Sequence, residues 1–318
     1  MSKRDATIDM CKGLGMLFVV LGHLPFLFGS IIYSFHMGFF FILSGWCFSN
    51  KHLQNGIGYI YSRFVRLFVP FLIMKGFSFA FQFIEGGNEV FEKYHLIGTA
   101  WFLSALFGVS IVSWFVIKLS LKFNICLFCP PLLFLGLAFM FDTLSFFNLP
   151  ILFRLSTWCY FSFYFLFGYY LKNTCPHILL YKQLDTKKYI LLTGGILALL
   201  LAKRFIPVTI DSCTSISFVP YSITTIIGSY ITLSFVLYLK EKNILTNFLS
   251  LVGRNNMSIL LFQWPCISLI EYLTFEGHVC LSNPTLVFIA KFVSAISIPV
   301  FFSYLYGILK DRVLKNTL

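Results

Sequence analysis

Three ionisable side chains near the amino terminus have types and spacings that suit proton transfer inside a membrane. Lys12 and His23 are eleven residues apart, so a continuous helix places His23 roughly 16 Å beyond Lys12. His36 follows after a short connection and opens the next apolar run. An imidazole accepts and returns a proton near neutrality, because its ordinary pKa is about 6.5. If the two runs are antiparallel neighbours, both imidazoles can face one cavity; the alternative is a pair of neutral histidines that only hydrogen-bond other helices.

Two arginines open the third apolar run at a spacing that suits an anion. Arg63 and Arg66 are three positions apart, which places them on one helical face, where they can bind a polyanion by charge-assisted hydrogen bonds. Together with Lys12 they would meet a phosphate-rich donor such as acyl-CoA. The alternative is that they only flank a membrane span and contact lipid phosphate.

The elements that must position these side chains are membrane-spanning helices. The chain has 318 residues, of which 58% are hydrophobic and 11% are charged, with a mean hydropathy of +0.84. That leaves too little polar surface for a soluble globule, and repeated runs of about 20 apolar residues indicate helices. The sequence predicts an all-α bundle of ten spans in one membrane domain, 1–318, with no internal repeat and no appended soluble domain. The predicted spans are 12–32, 35–50, 64–84, 100–117, 123–141, 156–172, 189–205, 218–239, 256–274 and 285–309.

The basic residues divide unevenly between the two sides of such a bundle. Eighteen fall on the side of the amino terminus and four on the other. The eighteen are Lys3, Arg4, Lys12, Lys51, Arg63, Arg66, Lys118, Lys122, Lys172, Lys182, Lys187, Lys188, Lys240, Lys242, Arg254, Lys310, Arg312 and Lys315. Because cytoplasmic loops carry excess Lys and Arg, both termini are predicted to be cytoplasmic, which requires an even number of spans. The net charge of +12 is then explained by the topology of the chain in a lipid bilayer, which is its expected partner. No nucleic-acid partner is expected.

The nine cysteines are an odd number and lie mostly in or beside spans, so they do not describe a disulfide framework. Cys126 and Cys129 form a C-x-x-C without a second pair or a nearby histidine, and no metal site is expected. No residue pattern indicates an oligomeric state.

Several short stretches resemble a known family. They are residues 4–13 (RDATIDMCKG) with His23, Phe35-His36-Met37 followed by Leu43-Ser44-Gly45, Arg63-x-x-Arg66 with Pro70, Trp101-Phe102-Leu103, Gly168 and Gly253-Arg254-Asn255-Asn256. Together they resemble the integral membrane acyltransferase family 3, whose members acylate sugars and other acceptors. The resemblance covers most of the chain.

The resemblance implies a set of roles. His23 would be the principal catalytic residue, His36 its essential support, and Lys12, Arg63 and Arg66 would serve the acyl-CoA donor. No bound cofactor is implied, since acetyl-CoA or another acyl-CoA is a co-substrate. The expected reaction is transfer of an acyl group, with acetyl expected, to a hydroxyl of a cell-surface or lipid-linked carbohydrate, in a bacterial cytoplasmic (inner) membrane. Direct attack on the thioester and an acylated intermediate both remain open.

Other residues are candidates for supporting roles. Lys75 could line the donor channel or pair with Asp9, and Ser44 belongs to one of the matching stretches. Trp101, Arg154 and His95 could contact an acceptor glycan. Gln263 stands where many family members have histidine, and an amide cannot serve as an acid or base near neutrality.

Two other classes of function compete with the acyltransferase. A transporter or flippase for a lipid-linked sugar would use the cationic entrance for binding alone, but neither related halves nor broken helices in matching positions are present. A structural membrane subunit would leave intramembrane histidines and a basic pair unexplained.

Overall fold

The computed structural model describes residues 5–25, 29–74, 76, 100–143, 155–179, 194–195, 215–275 and 283–316. Within these residues the chain is all-helical, without a strand. The helices in chain order are α1 Ala6–His23, α2 Gly29–Tyr33, α3 His36–Trp46, α4 Lys51–Gln54, α5 Gly56–Met74, α6 Ala100–Lys122, α7 Cys129–Thr143, α8 Leu155–Thr174, α9 Ser215–Glu241, α10 Thr246–Arg254, α11 Asn256–Phe275 and α12 Pro284–Asn316.

Six helices of the described part are long and apolar enough to cross a membrane. They are α1, α5, α6, α9, α11 and α12, and α7 contains a shorter apolar stretch, Cys129–Phe141. The predicted spans 35–50 and 156–172 correspond to α3 and α8, whereas 189–205 lies outside the described residues except for 194–195. The number of ten spans and the cytoplasmic termini stay predictions.

The predicted first span, 12–32, is wrong as a single helix. Helix α1 already begins at Ala6, where Asp5 caps it by accepting a hydrogen bond from the Thr7 backbone N–H, and it ends at His23. Leu24 then adopts an extended conformation (φ −99°, ψ 157°), as expected for a residue before a proline, here Pro25. A separate short helix, α2, leads to His36. The two histidines therefore lie at helix ends on either side of this break.

Close backbone contact through glycines joins α1 to α10. A β-carbon at Gly13 would overlap the carbonyl oxygen of Leu249, and one at Gly253 would overlap the carbonyl oxygen of Asp9. An ion pair between Arg254 Nε and Asp9 Oδ2, at 3.6 Å, lies at the same contact. Small residues permit this approach, and in lipid such close packing is what drives helices together.

A second glycine contact joins α3 to α8. A β-carbon at Gly45 would overlap the carbonyl oxygen of Phe165, and one at Gly168 would overlap that of Ile42. Phe41 and Phe161 stack between the same helices, with ring centroids 4.2 Å apart. The aromatic core of the bundle lies around this contact, because Phe41, Phe161 and Phe165 are fully buried.

Basic helix ends meet on one face of the bundle, which we call the basic face. The ammonium of Lys240, at the end of α9, donates to Thr7 Oγ1 at the start of α1, at 2.6 Å. The ammonium of Lys172, at the end of α8, donates to the carbonyl oxygen of Phe48, just after α3. This face therefore contains the start of α1 and the ends of α3, α8 and α9.

Replacing Gly168 with alanine tests the α3–α8 contact. The new methyl group would force the helices apart, so we expect Gly168→Ala to cost about 1–3 kcal/mol and to lower the thermal midpoint of the purified protein. Gly136→Ala is the matched control, because a β-carbon there meets nothing within 4 Å, and its stability should stay within about 1 kcal/mol of wild type. Equal thermal midpoints for Gly168→Ala and Gly136→Ala would contradict the close contact between α3 and α8.

Candidate functional site

A cavity of about 500 Å³ brings together the histidines and cations that the sequence singles out. Its lining includes Lys12, His23, His36, Arg63 and Arg66, contributed by α1, α3 and α5. None of the described residues that line it is acidic. Apolar side chains of α6 and α11 complete the wall, among them Phe102, Leu103, Leu106, Met257 and Leu260.

The helix directions give the cavity two chemically different ends. His23 ends α1 and His36 begins α3, so the imidazoles lie at the end away from the basic face. Lys12 is eleven residues earlier on α1, roughly 16 Å along the axis. Cys47, which follows α3, and the two arginines lie with Lys12 toward the basic face. The cavity thus has a cationic end near the basic face and, at its other end, two imidazoles.

Tyr33 lies between the two imidazoles. Its hydroxyl is 3.2 Å from His23 Nδ1, and the two ring centroids are 6.2 Å apart. The Tyr33 ring also packs edge-on against His36, at 5.3 Å between centroids. On its other side, the His23 ring contacts Trp264 of α11 at 4.8 Å. One phenol and one indole therefore hold the break between α1 and α3 in place.

The hydrogen bond of His36 defines its tautomer. Its Nδ1 lies 2.8 Å from the carbonyl oxygen of Ile32, and a carbonyl can only accept, so Nδ1 carries the proton. The side chain is 3% exposed. In the neutral ring, Nε2 then keeps its lone pair and can accept a proton or a hydrogen bond from a molecule in the cavity.

A π-helical turn positions the arginine pair. The turn spans Phe64–Phe68, directly after Arg63, and it includes Arg66. Such single turns interrupt α-helices and are frequent at functional sites. The guanidinium of Arg63 lies over the Tyr59 ring, 5.1 Å from its centroid, which limits its rotation while both arginines line the cavity.

The supporting candidates are distributed differently. Ser44 lines the cavity, and its hydroxyl donates to the Phe40 carbonyl oxygen at 2.8 Å. Asp9 is 2% exposed and pairs with Arg254, and it does not belong to the lining. Lys75, Arg154, His95 and the side chain of Trp101 lie outside the described residues. Among the residues that are described, no three His, Cys, Asp or Glu side chains are grouped to hold a metal ion.

Gln263 is fully buried on α11, one residue before Trp264. It does not line the cavity, and neither of its amide atoms has a hydrogen-bond partner in the described part of the chain. Its link to the site is therefore indirect, through the neighbouring indole that contacts His23.

Sequence reasoning missed Tyr33, Trp264 and Cys47. Tyr33 is three residues before His36, a spacing that could have drawn attention, but its contact with His23 exists only because the chain breaks after α1. Trp264 is more than two hundred residues from His23 along the chain, and no local pattern links them.

Comparison with known proteins identifies the family of the chain. An acyltransferase domain family matches residues 5–304. The chain belongs to this acyltransferase family. Over 146 residues the chain is also 30% identical to the nodulation protein NolL of Sinorhizobium fredii (strain NBRC 101917 / NGR234), a match that covers 39% of this chain and 38% of that protein. The chain thus spans well under half of that relative's length. No solved structure matches the chain.

In the acyltransferase family member described here, five residues of the stretches that resemble the family lie together. His23, His36, Lys12, Arg63 and Arg66 all line the one cavity, although their individual roles stay predictions.

Cysteine labelling tests whether the cavity opens at its cationic end. Cys47 lines the cavity and is partly exposed, whereas Cys11 is fully buried. We expect a small anionic thiol reagent, applied to the purified protein, to modify Cys47 and to leave Cys11 unmodified, as measured by peptide mass spectrometry. Because cations attract the reagent, Arg66→Ala should slow labelling about tenfold. A neutral thiol reagent is the control, and it should label Cys47 at the same rate in wild type and in Arg66→Ala. Equal modification of Cys11 and Cys47 by the anionic reagent would contradict an open cavity at Cys47.

Proposed function

We propose that the protein is a membrane O-acyltransferase that moves an acyl group, acetyl in the simplest case, from acyl-CoA to a hydroxyl of a cell-surface or lipid-linked carbohydrate. The observation that carries this proposal is the shared cavity, in which three cations and two imidazoles are lined up along α1, α3 and α5. A polyanionic donor needs the cations, and a hydroxyl acceptor needs a base.

The donor enters the cavity from the basic face. Lys12, Arg63 and Arg66 bind the diphosphate of acyl-CoA, and the pantetheine arm extends along α1 toward the histidines. The separation of Lys12 and His23, roughly 16 Å along a helix, suits an extended arm. In a bilayer, the basic face lies in the cytoplasm by the positive-inside rule, where acyl-CoA is available. The proposed location is the bacterial cytoplasmic membrane, with ten spans and both termini cytoplasmic.

Transfer proceeds by direct attack of the acceptor on the thioester. An imidazole Nε2 removes the proton of the acceptor hydroxyl, the oxygen forms a bond to the thioester carbonyl carbon, and the carbon–sulfur bond breaks. The imidazolium then returns the proton to the departing thiolate, so the products are the ester and CoA. No acyl-enzyme is needed in this sequence, and one imidazole serves as base and then as acid.

His23 is the proposed base, and Tyr33 orients it. When His23 Nδ1 donates to the Tyr33 hydroxyl, Nε2 keeps the lone pair that removes the proton. The bond of His36 Nδ1 to the Ile32 carbonyl oxygen likewise leaves the lone pair on Nε2, so His36 can accept a hydrogen bond from the acceptor beside the base. Hydrogen bonds of this kind are strong where water is excluded.

Removing the base tests the proposal in cells. We expect His23→Ala to lower the amount of acylated surface glycan by at least about a hundredfold, the size typical of a general base. The measurement compares mass spectra and NMR of surface glycans from a strain without the gene, complemented with wild type or with the variant. His177→Ala is the matched control, since His177 is an exposed histidine in the turn after α8, and it should restore the ester fully.

Two results would contradict this function. An unchanged set of acyl esters in the strain without the gene would exclude glycan acylation. Loss of glycan export in that strain, without any change in its esters, would favour the transporter instead.

Tyr33→Phe tests the orientation of His23. The ring contacts with both histidines remain, and only the hydrogen bond to Nδ1 is lost. A hydrogen bond worth about 1.4 kcal/mol corresponds to about a tenfold decrease in kcat, with KM for acyl-CoA unchanged. Tyr61→Phe, at an exposed position on α5, is the control. A change in KM alone would assign Tyr33 to substrate binding.

A further inference from the structure

A second basic cavity opens beside the first, on the basic face. It has a volume of about 300 Å³, and its lining includes Lys51, His52, Asn55, Ser62, Arg63 and Arg66. We call it the basic vestibule. Arg63 and Arg66 line both the vestibule and the larger cavity, so the arginine pair forms the boundary between them.

The segment that carries the vestibule is held rigidly. The Trp114 indole N–H of α6 donates to the His52 carbonyl oxygen at 2.9 Å, and the Tyr169 hydroxyl of α8 donates to Asn50 Oδ1 at 2.8 Å. A buried edge-on contact between Phe48 and Tyr59, with centroids 5.5 Å apart, lies beneath the segment. Three different elements therefore fix residues 48–55, which is the preorganisation that a binding site requires.

The charge of the vestibule comes from Lys51 and the two arginines. None of the described lining residues is acidic. Burial lowers the pKa of His52, and the nearby charges of Arg63, Lys172 and Arg66 lower it further. The imidazole is therefore neutral at pH 7, where it can share a hydrogen bond but adds no charge. Lys51 is the lining cation that lies in the vestibule and not in the larger cavity.

The arrangement fits a ligand with phosphates at two separate places. The larger cavity receives the pantetheine arm, and the shared arginines lie where the diphosphate would enter. A further phosphate on the nucleotide would then lie on the vestibule side of the arginines, within reach of Lys51. Coenzyme A carries such a group, a monoester on its ribose.

We propose that the basic vestibule binds the ribose 3′-phosphate of the acyl-CoA donor, with Lys51 as its principal cation. This inference rests on the proposed function, because it requires acyl-CoA as the donor. It extends the donor site to α4 and to residues outside the arginine pair.

Binding of CoA and of 3′-dephospho-CoA, which lacks this phosphate, provides the test. The full-length protein is placed in nanodiscs of zwitterionic phosphatidylcholine, and Kd is measured by calorimetry. We expect wild type to bind CoA about tenfold more tightly than 3′-dephospho-CoA, as for one charge-assisted contact. Lys51→Ala should weaken CoA binding about tenfold and leave 3′-dephospho-CoA binding unchanged, and Lys51→Arg should restore the preference.

Lys242→Ala is the control, since Lys242 is an exposed lysine after α9 that lines neither cavity, and it should leave both affinities at wild-type values. If CoA binds but Lys51→Ala weakens both ligands equally, the vestibule assignment is overturned while the donor assignment stands. If CoA does not bind wild type, both are overturned. If phosphatidic acid added to the nanodiscs displaces CoA from wild type but not from Lys51→Ala, the vestibule binds lipid phosphate and the inference is overturned.

Discussion

The close contact of helix backbones at glycines holds in place the two helices that carry Lys12, His23 and His36. Lipid supplies no hydrophobic force between helices, so tight packing must hold them together. Gly13 and Gly253 let α1 and α10 approach until backbone meets backbone, and Gly45 and Gly168 do the same for α3 and α8. Because α1 carries Lys12 and His23 while α3 carries His36, these two contacts fix the walls of the cavity. The cavity lies between these two helices and α5.

Polar side chains in and around that space are tolerated because they have ion-pair or hydrogen-bond partners. Ionisable groups at membrane depth are costly, so they persist where they pair, hydrogen-bond or bind a ligand. Asp9 satisfies this condition with Arg254, outside the cavity lining. His23 and His36 satisfy it locally through Tyr33 and Ile32. Both of these contacts are made through the Nδ1 atoms of the rings.

In the proposed donor site, the two cavities would hold different parts of acyl-CoA. A nucleotide and a thioester differ in charge and need different surroundings, a wet basic entrance for the first and a drier pocket for the second. The basic vestibule lies on a segment anchored by α6 and α8, and the larger cavity is lined by apolar residues of α6 and α11. The arginine pair beside the π turn belongs to both.

Composition, charge distribution and short motifs were sufficient to predict a helical membrane protein and its family. They also singled out Lys12, His23, His36, Arg63 and Arg66, which the structure places along one cavity; the roles of these residues stay predictions. Composition and charge distribution can be read directly from the sequence, because a membrane requires apolar helical spans and favours basic residues on the cytoplasmic side. Other features depend on contacts between distant segments. The sequence predicted His23 in the interior of a span, but α1 ends at His23 because the chain breaks at Leu24. This break allows Tyr33 to contact His23. The contact of Trp264 with His23 and the lining of the vestibule also depend on tertiary packing, which the periodicity of the sequence does not predict. Hydropathy locates a helix along the chain, but only packing decides which of its faces meets which neighbour.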